Sequence, residues 1–195
     1  EALWQLTQLE FLNLNNNHLG SAGVRTACRA LRQSVGLKRL GFSFNEPGTE
    51  HALADLLRFH PALVSIEIVE QLDRHLPSRS KDDIGRALLE NKAKTCGFLH
   101  CDTFVLAEET TSLSWPKEAS TSDAVLLAGV LVTNTVLTTV LASFNRLGPA
   151  APAALLAVPS GGCSCCSAIA VCVARLPTNS CAGWLVFTLC ECVLP

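Results

Sequence analysis

The sequence predicts an α/β fold in which short parallel strands alternate with helices. Segments 9–20 and 137–148 have the sequences LEFLNLNNNHLG and LTTVLASFNRLG. The first fits the pattern LxxLxLxxNxLG, and the second fits it with Val140 and Ala142 at two of the leucine positions. Apolar residues make up 49% of the 195 residues and charged residues 16%, so the chain can bury a core. The first position of the pattern recurs at Leu9, Leu37, Leu63, Cys96, Thr110 and Leu137. Most of these intervals fall within about 20–29 residues, which leaves room for one strand, one turn and one helix in each unit.

The first three units follow the pattern most closely. In the first unit, Leu12 and Leu14 are expected to point inward from the strand and Asn17 to close the turn. Gly20 and Gly23 are expected to open a helix whose inner side carries Ala27 and Leu31. The Asn side chain is expected to hydrogen-bond to turn backbone that would otherwise be buried without partners. The corresponding inward and turn residues of the next two units are Leu40, Phe42, Asn45, Ile66, Ile68 and Gln71.

The pattern becomes irregular around residues 72–110. Residues 72–82 have the sequence LDRHLPSRSKD and are predicted to form a polar loop, which a helix containing Ile84 and Leu88 follows. The interval from Cys96 to Thr110 is only half as long as a unit, so it predicts a strand without a helix. The fifth and sixth units are expected to regain their helices, with Leu127 and Leu155 on the inner side.

These motifs and spacings resemble those of leucine-rich-repeat proteins, in the ribonuclease-inhibitor-like class with long units. The resemblance covers about residues 3–158, and residues 1–158 are interpreted as one domain. It implies a short horseshoe-shaped solenoid with parallel strands on the concave face and helices on the convex face. Proteins of this family, among them ribonuclease inhibitor, the sensor regions of innate-immune nucleotide-binding receptors and the activator of the nuclear-transport GTPase Ran, act as ligand-binding or regulatory scaffolds.

Side chains alternate between the two faces of a strand, which predicts the residues on the concave face. If Leu12 and Leu14 point inward, their neighbours point outward, and the same register exposes Gly41 and Ser43 on the second strand. Aromatic and polar side chains together are typical of a protein-binding surface. The predicted partner-binding residues are Phe11, Asn13, Asn15, Arg39, Glu67, Phe98, His100 and Asp102.

The leading hypothesis is a non-catalytic scaffold that binds a protein partner on this concave face. A regulator of a small GTPase or another nucleotide-switch protein is the alternative that the family resemblance suggests. A third alternative is a metal or acid–base site formed by Glu67, His100 and Asp102, although a solvated polar patch is the favoured interpretation of these residues. Motifs for hydrolases, zinc proteases, P-loops and dinucleotide binding are absent from the sequence, so no enzyme activity, cofactor or metal is expected.

Charge argues against nucleic acid as a partner, because the formal net charge is −2 and the basic residues form no run. Cysteines outside the C-terminal region are scattered and are expected to pack as small hydrophobic residues in a reduced, cytoplasmic setting. The sequence contains no Met and starts within the pattern at Glu1, which indicates a fragment or a processed product.

Residues 159–195 form a Cys-rich apolar segment with seven of the ten cysteines. Its two apolar stretches are each shorter than the ~20 residues that a membrane-spanning helix needs. The favoured hypothesis is an apolar flap that covers the last unit. A lipid-modified or membrane-contacting tail, a zinc site and a sequence without selected function remain alternatives.

Overall fold

The computed structural model describes residues 7–45, 50–69, 76–115, 119–143, 169–174 and 184–189. Within these residues the chain first forms β1 Phe11–Asn13, α1 Gly20–Leu31, β2 Arg39–Gly41, α2 Glu50–Phe59, β3 Ser65–Ile68, α3 Ser78–Glu90 and β4 Phe98–Cys101. It continues with β5 Val105–Leu106, β6 Ser112–Ser114, α4 Thr121–Leu131, β7 Thr139–Ser143, β8 Ile169–Ala174 and β9 Trp184–Leu189. The predicted mixed α/β composition with parallel strands is confirmed.

The described strands divide into two sheets instead of forming one row of five or six parallel strands. The first sheet has the order β1-β2-β3-β4-β5, in which β1 to β4 are parallel and β5 is antiparallel to β4. The second has the order β6-β7-β8-β9, in which β9 is antiparallel to β8. The predicted absence of a helix between β4 and β6 is confirmed for residues 102–111. Two parallel neighbouring strands need a long crossover connection, and this segment is too short to provide one. The chain therefore turns back as β5.

One column of apolar residues runs across the first four strands. Leu12 pairs in register with Leu40, Leu40 with Ile66, and Ile66 with Leu99. The last three side chains are at most 2% exposed and share a core with the inner residues of the helices. The inward positions predicted from the alternation are therefore confirmed, and the helices cover that face of the sheet.

The helices pack against one another in chain order, α1 on α2, α2 on α3 and α3 on α4. The approach of α3 to α4 is close because both helices have glycine at the contact. A Cβ atom on Gly85 would lie 2.5 Å from the Val125 carbonyl oxygen, and one on Gly129 would lie 2.5 Å from the Gly85 carbonyl oxygen. Since α3 connects β3 to β4 of the first sheet and α4 connects β6 to β7 of the second, this contact joins the two parts of the molecule.

Asparagine side chains close the turns that follow the first two strands, as predicted. The buried Asn45 amide donates to the carbonyl oxygens of Leu14 at 2.7 Å and Phe42 at 3.0 Å, and its Oδ1 accepts from the Asn17 backbone N–H at 3.2 Å. The Asn17 amide donates to the Asn15 carbonyl oxygen at 3.0 Å. Asn45 thereby satisfies backbone groups in its own turn and in the turn after β1.

The same two turns share a backbone conformation. Asn16 and Phe44, which occupy equivalent positions in the two turns, have φ angles of 57° and 58°. Positive φ is several-fold enriched at asparagine and is unusual at a bulky aromatic residue such as Phe44. The turn after β2 thus keeps the positive φ angle of the turn after β1, although Phe44 is a residue type that disfavours it.

Two sequence predictions in this region are wrong. Residues 72–82 were expected to form a loop; residues 72–75 lie outside the described residues, but 78–82 belong to α3, and Ser80 and Lys81 are buried. Gly41 and Ser43 were expected on the exposed face, but both are buried. The Asn15 side chain lies against Gly41, and Ser43 is 1% exposed, with its Oγ accepting from the Val69 backbone N–H at 2.9 Å. The reason for the second error is that β2 ends at Gly41, so the alternation of a strand does not continue to Ser43.

The scattered cysteines Cys28, Cys96 and Cys101 are buried free thiols. Burial raises the pKa of Cys28 and Cys96 to about 12 and that of Cys101 to about 11. They pack as small apolar side chains, as expected. Of the seven C-terminal cysteines only Cys172, in β8, lies within the described residues, and the predicted helix with Leu155 lies outside them. The described helices include none with the length and hydropathy needed to cross a membrane.

Candidate functional site

One face of the first sheet is turned away from the helices, and we call it the exposed sheet face. Strand register places two rows of residues on it. The aromatic row consists of Phe11, Arg39, Ser65 and Phe98. The polar row consists of Asn13, Glu67 and His100, with the buried Gly41 between Asn13 and Glu67. The predicted neighbourhood of Glu67 and His100 is therefore present.

The aromatic row carries exposed apolar surface beside a cation. The Phe11 side chain is 59% exposed, which is unusual for a large aromatic residue, and Phe98 is half-buried. A third exposed apolar side chain, Val105 of β5, is 49% exposed but lies opposite His100, at the end of the other row. Arg39 lies between Phe11 and Phe98 in this row and is largely exposed.

The Arg39 guanidinium forms an ion pair that extends across the sheet. Its Nη2 lies 2.6 Å from Oε1 of Glu108, and both side chains are more than half exposed. Glu108 follows β5, so the contact connects the second strand of the sheet to the chain just beyond the fifth. The neighbouring Lys38 forms a separate ion pair with Glu10, also at 2.6 Å, and the hydrogen bond from Lys38 lowers the pKa of Glu10.

The polar row is connected through the side chain of Asn15, which follows β1. Its Nδ2 donates to Glu67 Oε2 at 3.1 Å, while its Oδ1 accepts from the Ser43 backbone N–H at 2.7 Å. Gly41 makes room for this amide, because a Cβ atom there would lie 2.7 Å from Asn15 Oδ1. The carboxylate of Glu67 is thus held in a fixed place beside His100.

The Glu67–His100 contact is open to solvent. His100 Nδ1 lies 3.7 Å from Glu67 Oε1, a distance beyond that of a hydrogen bond, and the two side chains are 47% and 38% exposed. Water screens such a pair, so its contribution to stability is small. Among the side chains that the structure describes, no group of three or more His, Cys, Asp and Glu residues is arranged to hold a metal ion.

Asp102, unlike Glu67 and His100, contacts the chain beyond the end of the sheet. It lies one residue beyond the end of β4, and its Oδ2 accepts from the Leu76 backbone N–H at 2.7 Å. This bond ties Asp102 to the segment that leads into α3. Asp102 therefore has a structural contact at the sheet end, whereas Glu67 and His100 face each other on the exposed sheet face.

Sequence reasoning missed a buried ion pair between the beginnings of α3 and α4. Lys81 Nζ lies 2.7 Å from Asp123 Oδ1 and 2.9 Å from Thr103 Oγ1, and the two charged side chains are 9% and 5% exposed. Burial alone would raise the pKa of Asp123, but hydrogen bonds from Lys81, Ser120 and Thr103 outweigh it and lower the pKa. Lys81 and Asp123 are far apart in sequence, so no local spacing could have indicated their contact.

It also missed polar residues that close the turn before a strand. His60 is buried, and its Nδ1 accepts from the backbone N–H groups of Ala62 at 3.2 Å and Leu63 at 2.9 Å. Asn134 Oδ1 accepts in the same way from Leu137 at 2.8 Å. Both residues precede the first leucine of a pattern match by three positions, which is a signal that the sequence contained.

Burial lowers the pKa of His60 to about 4, so its imidazole is neutral near pH 7. With Nδ1 as an acceptor, the proton is on Nε2, which has no hydrogen-bond partner among the described residues. The two backbone bonds at Nδ1 and the burial give His60 a structural role. It is not part of the exposed sheet face.

No protein-family model matches this chain, and a search of curated proteins finds no significant match.

Proposed function

We propose that this protein is a leucine-rich-repeat scaffold of the ribonuclease-inhibitor-like class, and that it binds a protein partner through the exposed sheet face. Three features of the first two units support the repeat assignment. They are the recurrence of the motif at a near-constant interval, the column that contains Leu12 and Leu40, and the buried Asn45 that bonds to the preceding turn. In this proposal the exposed sheet face is the concave side of a short horseshoe.

The observation that carries the proposed function is the composition of the exposed sheet face. Exposed Phe11 and half-buried Phe98 flank a cation, and a row of polar side chains lies beside them. Protein–protein interfaces combine aromatic and arginine anchors with a polar rim. A partner that covered this face would remove the exposed apolar area from water, at a gain of about 25 cal/mol per Å².

The proposed role is non-catalytic, and the proposed setting is the reducing cytoplasm. The three buried thiols are free and are packed as apolar side chains, which suits a compartment where disulfides are rare. The formal net charge of −2 gives no general attraction to nucleic-acid phosphates, so a protein partner is preferred.

Reversing charge on the polar row tests this proposal. A double variant with Asn13→Arg and Glu67→Arg places two long cations on the exposed sheet face without touching the buried column. The matched control is Gln33→Arg with Asp82→Arg, which makes the same charge changes in the helix layer, at one exposed and one half-buried position. Both variants and wild type are used as baits in pull-downs from cytoplasmic extract, with circular dichroism as the folding check.

We expect the face variant to lose proteins that wild type and the control variant both retain. The physical reason is that buried, unpaired cations at an interface are costly, at about 3 kcal/mol for each uncompensated charge. Recovery of the same proteins with all three baits would contradict binding through the exposed sheet face.

A further inference from the structure

The ion pair between Arg39 and Glu108 indicates which chemistry the exposed sheet face recognises. Arg39 is the cation of the aromatic row, and a carboxylate of the same chain is already bound to its guanidinium at 2.6 Å. Both side chains are more than half exposed, so water and salt compete with the contact. Glu108 is therefore held weakly and can exchange with another carboxylate.

We propose, on the basis of the protein-binding function above, that Arg39 anchors an acidic side chain of the partner and that Glu108 occupies this place in the unbound protein. A guanidinium suits this task because its fork of N–H groups matches a carboxylate. Glu108 acts as a built-in competitor. The partner segment displaces it and gains contact with the aromatic row in the same step.

The spacing of the row defines the segment that fits it. Neighbouring strands lie about 4.8 Å apart, so Phe11 and Phe98 are separated by three strand spacings, or roughly 14 Å. An extended peptide rises about 3.3 Å per residue, so its first and fifth side chains span roughly 13 Å on one face. The third side chain of such a peptide projects between them, toward Arg39. The expected motif is apolar, any residue, acidic, any residue, apolar.

The other charged groups near the row set the strength of this recognition. Lys38 is adjacent to Arg39, but it is bound to Glu10 at 2.6 Å and lies outside the aromatic row. Glu109 is exposed next to Glu108 and adds negative charge to the same turn. Because of Glu109, replacing Glu108 frees Arg39 without leaving a strongly positive surface. The expected gain in affinity for an acidic peptide is therefore modest.

The test uses two labelled five-residue peptides, acetylated and amidated, and fluorescence anisotropy. One has leucine at positions one and five, glutamate at position three and serine elsewhere, and the other has glutamine in place of the glutamate. The proteins are wild type, Glu108→Gln, Arg39→Gln and the control Lys38→Gln, which removes the neighbouring cation. Thermal unfolding of each protein checks that the fold is kept.

We expect wild type to prefer the glutamate peptide, and Glu108→Gln to strengthen that preference by up to about fivefold, the range of an exposed ion pair. Arg39→Gln should abolish the preference, Lys38→Gln should keep it, and added salt should weaken it. Equal binding of the two peptides to wild type, no binding of either, or a preference that survives Arg39→Gln would overturn the proposal.

This outcome is separable from that of the proposed function. If the Asn13→Arg, Glu67→Arg variant loses a partner that Arg39→Gln retains, the exposed sheet face binds protein but Arg39 is not its acidic anchor. If neither variant loses a partner, the docking function itself fails.

Discussion

Helices α1 to α4 pack in succession along the described chain, whereas the strands that accompany them separate into two sheets between β5 and β6. The strands are held by backbone hydrogen bonds, which end where the connection is too short for a parallel crossover. The helices are held by side-chain packing and, between α3 and α4, by a buried ion pair and close backbone contact. The two parts of the molecule are therefore joined mainly through the helix layer.

The largest expected effect comes from breaking the buried pair in that layer. Lys81→Met leaves Asp123 as an uncompensated buried carboxylate, which should cost about 3–5 kcal/mol of unfolding free energy. Lys38→Met is the matched control, because it breaks a lysine–carboxylate pair of similar length that is exposed, and it should cost about 1 kcal/mol or less. Urea titrations of both variants give the comparison.

A second variant distinguishes two causes of the lost stability: the missing attraction between Lys81 and Asp123, and the burial of an unpaired charge. Replacing both partners, Lys81→Met with Asp123→Asn, should recover much of the stability that Lys81→Met loses, since no buried charge is left alone and the amide oxygen can still accept from Ser120. Similar losses for Lys81→Met and Lys38→Met would mean that the buried pair between α3 and α4 contributes no more to stability than an exposed pair.

The next largest effect is a pH dependence of stability, and it concerns two turns that are closed in the same way, one by His60 and one by Asn134. The pKa of His60 is lowered from 6.5 to about 4, so the unfolded state takes up a proton first as pH falls. The stability that neutral His60 provides is complete above pH 6.5 and is lost between pH 6.5 and 4, by about 3 kcal/mol at most.

The His60→Asn variant tests this dependence, because Asn134 performs the same task with an amide that does not titrate. The unfolding free energy should fall more between pH 7 and pH 4.5 for wild type than for His60→Asn. An equal fall in both proteins would show that His60 is not the group responsible.

Close packing of α3 on α4 is expected to have a somewhat smaller effect. Gly85→Ala would place a Cβ atom 2.5 Å from the Val125 carbonyl oxygen, so the helices must move apart, at a cost of about 1–3 kcal/mol in strain and lost contacts. Gly23→Ala in α1 is the control, because its nearest atom is Leu19 Cβ at 3.0 Å, which is a longer approach that lies outside the α3–α4 contact, and alanine favours the helix by about 1 kcal/mol. A melting temperature of Gly85→Ala at or above that of Gly23→Ala would contradict the close contact.

The contrast between the two layers also shows what the sequence could predict. Leu12, Leu40 and Ile66 could be aligned because strand alternation and a near-constant interval between motifs are local and repeating. The same alignment placed Glu67 beside His100 correctly. Features that lie within one unit, or that recur from one unit to the next, could thus be predicted from the sequence pattern.

Features that depend on distant partners were not accessible. Lys81 belongs to a charged segment whose composition resembles that of a loop. In the structure it lies in α3, and its charge is paired in the core by Asp123. Ser43 was placed on the wrong side because the end of a three-residue strand has no sequence signal. The antiparallel β5 is only two residues long, below the length at which alternation can be recognised.

The smallest expected effect on stability belongs to the exposed sheet face. Glu67→Gln should change the unfolding free energy by less than about 1 kcal/mol, because its contact with His100 is exposed and glutamine can still accept from Asn15. The same variant is expected to weaken partner binding. A loss of stability comparable to that of Lys81→Met in the same urea titration would indicate that Glu67 serves the fold and not the surface.

Site-specific photo-crosslinking tests the central claim most directly, that the partner docks on the exposed sheet face. Phe11 lies on that face and Phe59 lies at the end of α2 in the helix layer, and their side chains are similarly exposed, at 59% and 52%. A benzophenone amino acid is introduced at either position, and adducts in cytoplasmic extract are identified by mass spectrometry. We expect a discrete protein adduct from position 11 that is absent from position 59. Adducts formed equally at both positions, or only at position 59, would contradict it.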